Sequence, residues 1–259
     1  MNGTGHNRTV EAFLLLEHAM NTLCVIIARR GSLGLPNKNE LLVAGRPMLD
    51  WTIDQALGSR WVDRVVLSTD GLRLAEIGHA RGIDVVMRPA HLAHETTTID
   101  DAARHGFTMI EREEGCQYAR AVVLYGNVPV RPLDLTDRAI EKLEKTGADS
   151  VQSVYPVEKI HPYWMKRIDG DRLEMYEPNN IYRRQDLPPV YMLNGGVIAV
   201  MRSSFMTTVE GEPHAFLGED RRAIVTGPNE VIDVDSHLEL QVAEEILLQR
   251  QMPNLRVTG

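Results

Sequence analysis

The sequence predicts a doubly wound α/β fold, a mostly parallel sheet with a small β-rich lobe set into its second half. Three observations predict it. Short apolar runs alternate with segments of helical period through the first half of the chain; the pattern becomes β-rich from Asp149 onward; and an amphipathic segment closes the chain between Ser236 and Arg250.

The elements follow in order. Leu23 to Ala28 is a short apolar run that stops at Arg29-Arg30-Gly31, the signature of a buried strand feeding a loop. Arg64 to Ser68, Asp84 to Met87 and Ala121 to Leu124 repeat that signature. Between these strands, Pro47 to Leu57, Leu72 to Arg81 and Thr98 to Glu113 space their apolar side chains three and four apart, as helices do. Alternation of this kind places ligands at the carboxyl ends of the strands, where Arg29 and Asp70 both stand. Ser150 to Tyr155, Tyr163 to Ile168 and Tyr191 to Met201 then read as strands, with a hairpin turn at Asp169-Gly170. The last helix, Ser236 to Arg250, carries Leu238, Val242, Ile246 and Leu247 along one side. The expected organisation is an extension over 1–21, a domain over 22–250 with a lobe at about 157–190, and a tail over 251–259.

At 259 residues the chain has room for one large domain with a small appendage. A net charge of −8 disfavours nucleic acid or an anionic membrane as the main partner, yet leaves room for a nucleotide, which needs only a few local cations. No apolar run reaches the roughly 20 residues of a membrane span. The run Ala12 to Leu16 is too short for a secretory core and is followed by Glu17 and His18. Cys24 and Cys116 make neither a disulfide framework nor a zinc site, which fits a reducing cytoplasm.

The chemistry concentrates at two places. After the first strand, Arg29, Arg30, Gly31, Ser32, Gly34 and Lys38 form a Gly-rich basic loop. Such a loop surrounds phosphate oxygens with backbone N–H groups and cations. Its spacing is that of neither a P-loop nor a dinucleotide fingerprint. Near the other end stands Ile232-Asp233-Val234-Asp235. In extended chain, residues two apart project to one face, so Asp233 and Asp235 converge on one divalent cation, Mg²⁺ or Mn²⁺. Asp233 leaves an otherwise apolar run, and a buried carboxylate without a partner costs several kcal/mol.

Together these features resemble the cytidylyltransferases that activate sialic acids and related keto-acid sugars. Ala28 to Asn39 aligns with that family's A-R-x-x-S-K-x-x-x-x-K-N loop. Ser68-Thr69-Asp70-Gly71, Arg88-Pro89 with Leu92 and Thr96, Arg184-Gln185-x-Leu187-Pro188, Asn194-Gly195 and the closing D-x-D follow in the same order. The resemblance runs from about Thr22 to Arg250. It implies a nucleotidyltransferase of Rossmann-like fold that joins CTP to a 2-keto sugar acid. Arg29, Lys38, Asp233 and Asp235 would carry the reaction. Ala28, Arg29, Ser32, Lys38, Asn39, Arg88 and Thr97 would hold the nucleotide, and Tyr125, Arg131, Arg184, Gln185 and Asn194 the sugar acid. It also implies a homodimer whose lobes reach into each other's sites.

The chain departs from the family at three positions. Leu33 stands where a lysine usually follows the loop serine, Tyr125 replaces a glutamine on the sugar side, and Met192 replaces an arginine before Asn194-Gly195. Most of the change falls on the sugar side, which implies a substrate other than ordinary N-acetylneuraminate, of pseudaminate, legionaminate or octulosonate type. Two rivals remain at this stage, a D-x-D glycosyltransferase and a nucleotide-binding paralogue without turnover.

Overall fold

The first apolar run folds as β1 (Thr22–Ile27), in which Leu23, Cys24, Val25 and Ile26 are all fully buried. A strand of such residues is covered on both faces by helices. A 3-10 turn at Lys38–Glu40 and the small hairpin β2 (Leu42–Val43) and β3 (Arg46–Pro47) lead into α1 (Met48–Leu57). The alternation continues through β4 (Arg64–Thr69), α2 (Leu72–Ala80), β5 (Asp84–Met87), α3 (Ile99–Glu114) and β6 (Arg120–Tyr125). Next come α4 (Leu135–Thr146) and β7 (Ser150–Val157), then the hairpin β8 (Lys166–Asp169) and β9 (Arg172–Met175). The chain returns through β10 (Val190–Met201), the single turn α5 (Arg202–Phe205), β11 (Arg221–Val225) and α6 (His237–Gln251). The computed structural model describes residues 21–31, 34–94 and 96–251. Residues 1–20 of the expected extension over 1–21, residues 252–259 of the expected tail over 251–259, and Ser32, Leu33 and Glu95 lie outside them.

Seven strands form one sheet in the order β11-β7-β10-β6-β1-β4-β5. The pairings β1–β4, β1–β6, β4–β5 and β7–β11 are parallel, while β10 runs antiparallel to both of its neighbours. Because side chains alternate along a strand, β1 feeds two cores. Cys24 and Ile26 pack with Leu49 and Ile53 of α1, Leu74 of α2 and Leu135 and Leu143 of α4. Leu23 and Val25 pack on the opposite face with Ala103, Phe107 and Ile110 of α3. The sheet is therefore doubly wound, as the alternation predicted.

Three local readings are corrected. The strand expected from Tyr163 begins only at Lys166, because Pro162–Trp164 form a 3-10 turn whose Tyr163 N–H is capped by His161 Nδ1 at 3.1 Å. The packed side of α6 is Leu240, Ala243, Ile246 and Leu247 against Leu35, Val43 and Val234, whereas Leu238 is 69% exposed and Val242 is also at the surface. The helix α4 and the edge strand β11 were not foreseen, although Leu135, Ala139, Ile140 and Leu143 repeat at helical spacing and Gly147 closes the helix.

The hairpin turn is where the sequence placed it, with Asp169 paired to Arg172 around Gly170-Asp171. β8 and β9 form their own two-stranded sheet, separate from the main one. Ile168, Leu173, Tyr176 and Tyr182 of this lobe are all exposed.

Candidate active site

The carboxyl ends of β1, β4 and β6 meet the segment that precedes α6. Beyond β6 the chain turns at Gly126-Asn127, and residues 127–130 run beside 232–234. Val130 bridges Ile232, the Ile232 N–H donates to the Val130 carbonyl at 3.2 Å, and the Val234 N–H donates to the Asn127 carbonyl at 2.9 Å. Val234 is fully buried between the two aspartates, so Asp233 and Asp235 are held on either side of an anchored residue. The next residues start α6 with a reciprocal cap. Glu239 Oε2 accepts the N–H groups of Asp235 and Ser236, both at 2.8 Å, and Ser236 Oγ accepts the Glu239 N–H at 3.4 Å.

The two carboxylates have different surroundings. Asp233 is largely buried, and burial together with the charge of Asp235 pushes its carboxyl up to about 6, against the pull of Lys38 and Arg131. Asp235 is exposed and forms an ion pair with Lys38, the end of the Gly-rich loop. Gly34 fixes that approach: a Cβ there would lie 2.5 Å from the Asp235 carbonyl oxygen, so only glycine lets the loop pass so close. On the other side, Asp233 lines a cleft of about 750 Å³ with Tyr125, Tyr155, Met192 and Asn194. A Cβ on Gly195 would meet the Tyr125 ring at 3.0 Å and Asp233 Oδ2 at 3.4 Å, so this glycine also lets two chains close on the carboxylate. The D-x-D pair thus stands between a cleft and a basic loop.

Asp233 and Asp235, with the side-chain amide of Asn127 beside them, are hard oxygen donors of the kind that hold Mg²⁺ by one or two carboxylates and several waters. A largely buried carboxylate next to a second one is the environment a divalent cation relieves. Among the described residues there is no cluster of three or more His, Cys, Asp or Glu side chains around one point.

A cytidylyltransferase family profile matches residues 23–189. The chain belongs to the cytidylyltransferase family. It is 34% identical over 191 residues to the N-acylneuraminate cytidylyltransferase of Streptococcus agalactiae serotype III (strain NEM316), a match covering 72% of this chain and 45% of that protein. The chain thus spans about half the length of these curated relatives. It is 27% identical over 234 residues to the CMP-N,N'-diacetyllegionaminic acid synthase of Legionella pneumophila, covering 88% of this chain and 97% of that one. Among solved structures, the fold is shared with a CMP:2-keto-3-deoxy-manno-octonic acid synthetase complexed with CTP, at a TM-score of 0.65 and 18% identity over 89% of this chain and 99% of that one. It is also shared with the 4-diphosphocytidyl-2C-methyl-D-erythritol synthase of Anaerococcus prevotii, at 0.61 and 16% over 89% and 99%.

The residues expected to hold the nucleotide gather at the strand ends. Ala28 is buried and its N–H donates to the Ser68 carbonyl at 3.1 Å. Arg29 and Arg30 follow it, and the Arg30 N–H donates to Asp70 Oδ1 at 2.6 Å, tying the loop to the end of β4. Arg88 lies across Ser68, donating to its Oγ at 2.9 Å and its carbonyl at 2.8 Å. Burial pushes this guanidinium down to about 10, partly balanced by Asp70, and Arg29 adds to the lowering. Asn39 is only 3% exposed, and its Nδ2 donates to the Arg29 carbonyl at 3.1 Å. It therefore holds the loop's backbone at Arg29. Thr97 is half-buried, with its N–H on the His94 carbonyl.

The sugar-side expectations fare differently. Tyr125 lines the cleft, its hydroxyl pushed up to about 12 by burial and by Asp233. Arg131 is not among the residues that line the cleft, and its guanidinium is taken up by neighbouring backbone. It is fully buried and donates to the carbonyls of Gly196 at 2.6 Å, Tyr125 at 2.9 Å and Val128, and to Thr52 Oγ1 at 3.0 Å. Asn194 faces the cleft, but its amide braces a bulge in β10: Oδ1 accepts from Ser153 Oγ at 2.6 Å and Gly196 N at 3.1 Å, and Nδ2 donates to Thr226 Oγ1 at 2.9 Å. Arg184 and Gln185 line a second hollow of about 360 Å³ near the lobe, where Arg184 pairs with Glu158. Asp233 does not line that hollow, although Val157 and Glu158 line both it and the cleft.

Sequence reasoning missed Asn127 and Glu239. The Ser236-x-x-Glu239 spacing is a capping-box signal that could have marked the helix start and its hold on Asp235. Asn127 carries no such signal, since its role depends on two segments over one hundred residues apart.

Proposed function

We propose that this chain joins CTP to a 2-keto sugar acid, releasing pyrophosphate and giving a CMP-sugar. The observation that carries this reading is the position of the D-x-D pair, with Asp235 turned to the basic loop through Lys38 and Asp233 turned to the cleft. Triphosphate on one side and sugar on the other would meet there. The names of the relatives support it: acylneuraminate and legionaminate cytidylyltransferases among the sequences, and an octonic-acid synthetase solved with CTP among the folds.

In the proposed reaction the sugar's anomeric hydroxyl oxygen bonds to the α-phosphorus of CTP. The bond from that phosphorus to the bridging oxygen of pyrophosphate breaks, and the hydroxyl proton leaves to solvent. Most of the catalysis in such a transfer is positioning and charge neutralisation. Arg29 and Lys38 would neutralise the departing phosphates, and Asn39 would hold the loop that presents them. Mg²⁺ held by Asp233 and Asp235 would supply charge neutralisation and a lower pKa for the attacking hydroxyl. Tyr125 and Met192, both departures from the sialic-acid pattern, line the cleft next to Tyr155 and Leu193. These walls favour a sugar acid with apolar substituents over the polyhydroxylated ordinary sialic acid.

The free Cys24 and Cys116 fit a reducing cytoplasm, and the lobe supports a two-fold dimer. Its two-stranded sheet is too small to stand alone and exposes Ile168, Leu173, Tyr176 and Tyr182. Arg184 would then contact the sugar acid of the neighbouring subunit. Among the described residues no helix is long and apolar enough to cross a membrane.

Two experiments test this function. Asp233→Asn and Asp235→Asn, each nearly isosteric, should lose pyrophosphate release while keeping the wild-type melting temperature; full activity of both in EDTA-treated buffer contradicts the metal reading. Mixing Arg184→Ala with Asp233→Asn subunits should restore part of the activity, since one site of the mixed dimer keeps both residues. No recovery after verified exchange contradicts the shared site.

A further inference from the structure

Asn127 sits at the carboxyl end of β6, in the turn that carries the chain past the D-x-D segment. Its place is set by backbone and not by chance side-chain contact. Its carbonyl accepts the Val234 N–H at 2.9 Å, and three residues on, Val130 pairs with Ile232. From that fixed point the side-chain nitrogen donates to Asp233 Oδ1 and lies 3.4 Å from the Val234 carbonyl and 3.5 Å from Asp235 Oδ1. One amide nitrogen therefore faces both carboxylates of the pair and the peptide between them.

We propose that Asn127 is the positioning residue of the D-x-D pair, holding the two carboxylates in register for a divalent cation. The inference rests on the reading of Asp233 and Asp235 as cation ligands.

The chemistry of the side chain suits that task. Two carboxylates two residues apart repel each other, and without a donor between them they would turn away into water. A lysine at this place would bring a charge that competes with the cation, and an aspartate would add a third negative charge with no N–H to offer. A neutral amide donates without cancelling charge, so the pair keeps its full attraction for a cation. Lys38 does not perform this task. It reaches Asp235 from the loop side, on a flexible stem that the triphosphate would draw away. Asn127 is attached to the same backbone pairing as the aspartates, so it stays with them whether or not the nucleotide is bound. Outer-shell partners of this kind typically contribute 10–100-fold to metal affinity.

The test uses Mn²⁺ as the probe, with free Mn²⁺ followed by electron paramagnetic resonance on the full chain without nucleotide or sugar. Asn127→Ala should weaken Mn²⁺ binding by about tenfold or more, with an unchanged number of sites. Asn127→Ser, which keeps a shorter donor, should fall between Ala and wild type, and it carries the test if the alanine variant does not fold. A merely structural residue would lower the number of competent sites and leave the affinity of the rest alone; that outcome overturns the proposal. Wild-type affinity in Asn127→Ala, or in Asn127→Ser where that variant carries the test, also overturns it. Asp233→Asn separates the two levels. If it binds Mn²⁺ as wild type does, the ligand reading itself is wrong, whereas lost binding in Asp233→Asn with unchanged binding in the Asn127 variants refutes the positioning role alone.

Discussion

Replacing Arg131 by methionine tests whether this arginine is scaffold or substrate ligand. The side chain is fully buried, and four of its donor contacts end on Gly196, Tyr125, Val128 and Thr52. Hydrogen bonds to a charged group contribute roughly 1.5–3 kcal/mol each, so four represent a gross loss on the order of 6–12 kcal/mol. Removing a buried cation returns several kcal/mol of desolvation, so the net cost, set by neutral acceptors left unsatisfied, is on the order of 3–5 kcal/mol. In a chain of this size that corresponds to a fall in melting temperature on the order of 10 °C. The acceptors left behind lie at the end of β6 and the turn after it, in the bulge of β10 and on α1, so the wall of the cleft loosens with them. Thermal melting followed by circular dichroism reads the effect, with sugar-acid saturation measured well below the new midpoint. A melting temperature within about 2 °C of wild type, combined with a selective loss of sugar-acid binding, would refute the scaffold role and restore the substrate role that the sequence suggested.

Gly34→Ala should cut turnover strongly with little change in stability, because the new Cβ meets the Asp235 carbonyl at 2.5 Å and must push the exposed loop away from the D-x-D pair; wild-type kinetics would show that this approach does not matter. Lys38→Ala should raise the KM for CTP, and an unchanged value would move the main phosphate cation to Arg29 or Arg30. With thiol reagent at pH 8, one cysteine per native chain should react, since Cys116 is exposed while burial pushes the Cys24 thiol up to about 12. Two fast-reacting thiols before denaturation would contradict the buried first strand.

The legible parts of this fold were those fixed by local pattern. β1, β4, β5 and β6 are short apolar runs closed by charged or glycine-containing loops, and β5 ends where the pattern put it, at Asp84 and Met87. The basic loop and the D-x-D pair were also legible, because each is contiguous in sequence. What was not legible depends on long-range contact. Arg131 follows an apolar strand end exactly as a ligand arginine would, and only the arrival of Gly196 and Thr52 shows that its guanidinium is enclosed. Asn194 likewise looks free until Ser153 and Thr226 take up its amide. The face of α6 was misread because apolar residues occur around much of its circumference, and contact with Leu35 and Val43 selects which of them are buried.

The most direct test of the central claim is product formation by the wild-type chain. With CTP, Mg²⁺ and a panel of nonulosonic and octulosonic acids, pyrophosphate should be released in step with a CMP-sugar detected by mass, most rapidly for acids with deoxy or acylated, less hydroxylated tails. Replacing CTP by UTP, ATP or GTP, or omitting the sugar acid, should abolish release. Equal turnover with UTP, or no product with any acid while CTP still binds, would contradict the account.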